Sequence, residues 1–128
     1  MNSQDTQVIV VDDDPDILFV LGRKLRAAGF EPLLAAGGEQ ALALMDAHPH
    51  CERMITDVQM PGLGGAAWME ILATQCAHWS IIVMSRVDTD PGLFVLAPKP
   101  LDIENVMQHF QRVEPRMLPQ ARVRARSA

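Results

Sequence analysis

Short apolar runs alternate along this chain with stretches of helical period. Val8 to Val11 is a β-branched run, the pattern of a strand buried on both faces. Asp14-Pro15 then reads as a helix N-cap with proline at the first helical position. Leu18, Leu21 and Leu25 follow at helical spacing, and Gly29 ends that helix. Residues 32–36 form a weaker second strand, an edge strand because it contains Pro32. A second helix covers 39–47, with Ala41, Leu42 and Met45 on one side. Residues 53–56 predict a third strand that ends in Asp57, 65–76 a third helix, 80–84 a strong fourth strand and 93–97 a fifth. Ile103, Val106, Met107 and Phe110 give the i, i+3, i+4, i+7 spacing of a last helix capped by Asp102. The order β-α-β-α-β-α-β-(short loop)-β-α predicts an α/β fold, a doubly wound five-stranded parallel sheet with helices on both faces.

Composition narrows the class. A chain of 128 residues, 48% hydrophobic and 21% charged, holds one domain with a real core. The expected organisation is a lead at 1–6, one domain at 7–113 and an Arg-rich, disordered tail at 114–128, where Pro115 and Pro119 break helix. The net charge of −5 conceals an asymmetry: residues 1–113 carry 15 acids and 7 bases, residues 114–128 one acid and four arginines. An acidic body argues against nucleic acid as the partner of the folded part. Cys51 and Cys76 form no CxxC pair, and no apolar run approaches the roughly 20 residues that span a bilayer. The expectation is a cytoplasmic protein with reduced thiols and no membrane partner.

Ligands of open parallel sheets bind outside the carboxyl ends of the strands, so the residues there carry the chemistry. Strand one ends in Asp12-Asp13-Asp14, strand three in Asp57, strand four in Ser85, and strand five just before Lys99. Acids held this close repel one another and call for a cation. Carboxylates with room for water suit Mg²⁺. With Asp14 assigned to the helix cap, Asp12 and Asp13 remain for the metal. An aspartate can attack phosphorus, a cation and a lysine can neutralise phosphoryl oxygens, and a hydroxyl can donate to them.

The stretches V-I-V-V-D-D-D-P, I-T-D-V-Q-M-P-G-L-G-G, I-I-V-M-S and A-P-K-P resemble, in order, the receiver domain of two-component response regulators. The resemblance spans about residues 7–113. It implies a flavodoxin-like sheet of strand order 2-1-3-4-5 and phosphorylation of Asp57. It further implies Mg²⁺ held by Asp13, Asp57 and the backbone carbonyl of Gln59, with Asp12 acting through water. Ser85 would sense the phosphoryl group and Lys99 would pair with it, aimed inward by a cis bond to Pro100. The implied donor is a histidine kinase or a histidine phosphotransfer protein.

Departures from the family gather at the end of the domain. Only 14 positions separate Ser85 from Lys99, about eight fewer than usual, so the fourth helix is expected to be absent or reduced to one turn. So short a crossover strains parallel pairing and leaves an unusual path for strand five open. The aromatic switch position holds Leu96, with Phe94 nearby. The chain has no tyrosine, and Arg86 follows Ser85.

The function expected is a stand-alone phosphoacceptor that signals by protein contact or serves as a relay or phosphate sink, not an enzyme with turnover. One rival is a phosphorylation-independent interaction module, favoured by the lost helix and aromatic. A remote rival is an aspartate-nucleophile phosphatase using Asp12 and Asp14 as D-x-D, which Pro15 disfavours. His48, His50 and Cys51 are metal-ligand types in one short stretch, but a solvated loop is the better reading. Trp68 and Trp79 are assigned to core or rim packing, and the eight methionines to gap filling.

Overall fold

The computed structural model describes residues 6–85, the strand at 95–98, and the helical positions Val106 and Phe110. The elements are β1 (Gln7–Val11), α1 (Pro15–Ala27), β2 (Glu31–Ala35), α2 (Gly38–Ala47), β3 (Arg53–Asp57), α3 (Gly65–Gln75), β4 (Ser80–Ser85) and β5 (Val95–Pro98). The expectations for the fourth helix at 86–94, for Phe94, Arg86 and the Lys99-Pro100 bond, for most of the last helix and for the tail lie outside the described residues.

All five strands are parallel, in the order β2-β1-β3-β4-β5. The edge assignment of β2, made from Pro32, holds. The unusual path left open for strand five is not taken: β5 runs parallel beside β4, with Ile82 opposite Val95 and Ser85 opposite Pro98.

Strand parity divides the core in two. Ile9, Val11, Met54, Ile81 and Val83 meet Ala41 of α2 and Trp68 and Leu72 of α3 on one face. Val8, Val10, Ile55, Ile82 and Met84 meet Leu21 and Leu25 of α1, with Val106 and Phe110, on the other. This is why β1 and β4 read as unbroken apolar runs: neither parity faces water. Each fully buried aliphatic chain contributes roughly 1.5–3 kcal/mol.

The ends of α1 follow from local chemistry. Asp14 accepts the N–H of Asp16 at 2.9 Å, and Pro15 occupies the first turn, where its missing N–H costs nothing. At the other end Gly29 takes φ +98°, donates to Arg26 O, and lets Phe30 N–H reach Leu25 O at 2.9 Å. That is the Schellman pattern, with Phe30 and Leu25 sharing one hydrophobic cluster. Phe30 then meets Phe110 edge-on at 5.8 Å, tying the turn to the last helix.

The two tryptophans are core residues. Cys51 and Cys76 are free and buried in the same cluster. Burial, reinforced by the nearby Cys51, pushes the Cys76 thiol from 9.0 up to about 12; burial also raises Cys51. A folded-state value above the unfolded one favours folding fully below pH 9 and loses that contribution as pH climbs towards 12. Thermal midpoints measured across this range are expected to fall, and to fall less steeply in Cys76→Ala. An identical slope in the variant would remove the thiol from the explanation.

Candidate functional site

Asp12, Asp13 and Asp57 converge at the carboxyl edge of the sheet, with one ligand oxygen from each lying within 4.8 Å of the others. The sheet register causes this. Val11 pairs with Thr56, so the residues that follow, Asp12 and Asp57, leave adjacent strands side by side. Asp12 is fully buried and Asp57 nearly so, while Asp13 is exposed. Asp12 is held by the Asp14 N–H, which donates to Oδ1 at 2.9 Å, and by its own N–H, which donates to Ala35 O. Asp14, directed to the helix cap, is outside the carboxylate group.

Asp57 is oriented by its own chain. Its Oδ1 accepts the N–H of Val58 at 2.7 Å and that of Gln59 at 3.3 Å. Gln59 is exposed and enters the loop that leads to α3. Ser85 ends β4 one position beyond Met84, the partner of Asp57, so its backbone stands at the same edge. Lys99 lies outside the described residues.

The loop from Val58 to Gly65 is tightly closed. Gly65, at φ +58°, donates to Val58 O at 2.7 Å. A Cβ on Gly64 would stand 2.5 Å from Met60 O, which no side chain tolerates. The N-terminus of α2 supports the loop from outside: Gly38 approaches so closely that a Cβ would meet Leu63 O at 2.7 Å. Gly37 offers no capping side chain, and Gln40 instead reaches back to accept the Ala36 N–H at 2.8 Å.

Hard oxygen donors of net negative charge are what Mg²⁺ takes. Facing ligands of one such ion stand ~4 Å apart, close to the spread of these three acids. Asp12, Asp13 and Asp57 therefore fit the ion. The His48, His50 and Cys51 stretch gathers no metal site among the described residues. Cys51 Sγ turns to Gln7 O at 3.5 Å, and His48 faces the Gln7 amide.

Two features escaped the sequence reading. Trp68 Nε1 donates to Thr56 Oγ1 at 2.9 Å, and Thr56 Oγ1 donates to Asp57 O at 2.7 Å. A hydroxyl beside the acid and a buried indole whose N–H requires a partner were the available signals. The second is the outer face of α1, where Phe19 is 61% and Val20 47% exposed. Arg23 lies over the Phe19 ring, 5.7 Å from its centre. Both apolar residues fall off the Leu18, Leu21, Leu25 stripe, which was the clue.

The pattern that defines the response regulator receiver domain matches residues 8–109. NtrC, a DNA-binding transcriptional regulator of Salmonella typhimurium, is 31% identical over 113 residues, which is 82% of this chain and 24% of NtrC. The chain thus spans about a quarter of the length of that relative. Among solved structures, the chemotaxis protein CheY4 of Vibrio cholerae superposes with a TM-score of 0.72 at 25% identity, over 84% of this chain and 98% of CheY4. The receiver domain of the hybrid histidine kinase CckA gives 0.69 at 31% identity, over 82% and 99%. The chain belongs to the response regulator receiver domain family. Receiver domains are signalling phosphoacceptors that bind Mg²⁺ at an acidic pocket and interact with histidine kinases or phosphotransfer proteins.

Like charge within 4.8 Å makes the metal-free protein the strained one. In chelator, Asp13→Asn is expected to raise stability by up to about 1 kcal/mol. Excess Mg²⁺ should raise the wild-type midpoint by several degrees and the variant's far less, since ~100-fold excess over Kd stabilises by ~2.7 kcal/mol. Equal shifts, read by calorimetry, would exclude Asp13 from the metal site. Gly38→Ala is expected to cost about 1–3 kcal/mol through the clash with Leu63 O. An unchanged urea midpoint would mean the loop yields freely.

Proposed function

We propose that this receiver domain accepts a phosphoryl group on Asp57 from the phosphohistidine of a kinase or phosphotransfer protein. The carrying observation is the placement of the buried Asp57 carboxylate within 4.8 Å of Asp12 and Asp13 at the sheet edge. Oδ1 is engaged by two backbone N–H groups, and Oδ2 is assigned as the attacking atom. A bond forms from Oδ2 to phosphorus while the P–N bond of phosphohistidine breaks, its electron pair returning to the imidazole nitrogen. Water later attacks the acyl phosphate and releases inorganic phosphate.

Asp13, Asp57 and the Gln59 carbonyl are the proposed direct ligands of Mg²⁺, and Asp12 acts through water. The ion, when bound, supplies positive charge against the phosphoryl oxygens. Ser85 donates to the phosphoryl group and Lys99 pairs with it. The module has no turnover chemistry of its own beyond slow self-dephosphorylation. Its signal passes by protein contact, or it relays or drains phosphoryl groups.

The sequence departure at Leu96, in a chain without tyrosine, keeps one competing reading in play, an interaction module that works without phosphorylation. Intact-mass spectrometry separates the two. Wild type and Asp57→Asn are incubated with a small phosphoryl donor, with Mg²⁺ or with chelator. One phosphoryl group is expected on wild type with Mg²⁺ alone. No label there, and none from a phosphohistidine kinase, would hand the assignment to the interaction module.

A further inference from the structure

The peptide unit between Asp57 and Val58 is held at both ends. Its N–H donates to Asp57 Oδ1 at 2.7 Å, and its carbonyl accepts from Thr56 Oγ1 at 2.7 Å. Rotating that plane breaks both bonds in a region where Thr56 is fully buried and Asp57 nearly so. A hydroxyl has one proton, and the direction of that proton is free unless a second group fixes it. Trp68 is that group. Its indole N–H can only donate, and it donates to Thr56 Oγ1 at 2.9 Å. The Thr56 proton is thereby committed to the Asp57 carbonyl.

We propose that Thr56 and Trp68 are positioning residues for Asp57: together they fix the peptide plane that orients the carboxylate for attack on phosphorus. The proposal rests on the phosphoacceptor reading for its consequence, though the positioning itself is a property of the backbone. Trp68 acts only through Thr56, and Thr56 only through the peptide. Misplacing a nucleophile by about 1 Å can cost on the order of 100-fold in rate.

The test compares wild type with Thr56→Val, Thr56→Ser, Trp68→Phe and the Thr56→Val/Trp68→Phe double variant. Two quantities are read at a temperature where every variant is folded by circular dichroism. One is the rate of labelling by a small phosphoryl donor at saturating Mg²⁺. The other is hydrogen exchange of the Val58 amide by NMR, which needs neither metal nor phosphate. Thr56→Val is expected to slow labelling on the order of tenfold and to speed Val58 exchange. Thr56→Ser should restore both. The double variant should be no slower than Thr56→Val, because the two residues act in series. Wild-type labelling and exchange rates in Thr56→Val would overturn the inference, as would additive losses in the double variant. If wild type takes no label from the small donor or from a phosphohistidine kinase, the phosphoacceptor reading fails, and Val58 exchange alone decides the positioning role.

Discussion

Three carboxylates within 4.8 Å repel one another, and the rest of the molecule is arranged to keep them there. Asp12 directly follows β1 and Asp57 ends β3, both buried strands, so these two acids cannot separate without drawing apolar residues out of the core. The parallel pairing of Val11 with Thr56 brings the acids together, and backbone N–H groups then orient Asp12 and Asp57. The hydrophobic energy of the sheet thus sustains a concentration of charge that the acids alone would disperse. A divalent cation or the loss of a carboxylate relieves the same tension, which makes the site responsive to its ligand.

The surroundings of the acids are built for fixed geometry. On one side Asp14 turns away to cap α1 and lends only its N–H to Asp12. On the other, the loop after Asp57 is closed by the Gly65 bond to Val58 O and braced from outside by α2. At these contacts backbone lies against backbone, with Gly38 and Gly64 leaving no room for a side chain between. A loop of this kind presents its carbonyl and amide groups in one arrangement, which suits a metal that demands regular coordination.

Much of this architecture was legible in the residues themselves. The two-sided burial of Val8–Val11 and the cap at Asp14-Pro15 are local features, and Gly29 ended α1 as its backbone freedom allows. Pro32 marked an edge strand because a proline cannot serve two neighbours. The strand-end acids followed from those assignments. What stayed hidden depends on distances the sequence does not order. The Gly38 contact with Leu63 joins residues 25 positions apart, and the Trp68 bond to Thr56 depends on how α3 is rotated about its axis. Apolar periodicity placed Trp68 in the core correctly, but it carries no information on where an indole N–H points.

With two tryptophans and no tyrosine, the chain's near-ultraviolet emission comes from two points. Trp68 is one hydrogen bond from Thr56 and two from the backbone of Asp57, the proposed phosphoacceptor. Trp79 lies at the opposite end of the sheet, just before β4 begins, its backbone N–H donating to Cys76 O. One fluorophore is wired to the site and the other to the far rim. The native protein is therefore its own optical gauge: events at Asp57 alter one emitter, whereas loss of the fold alters both.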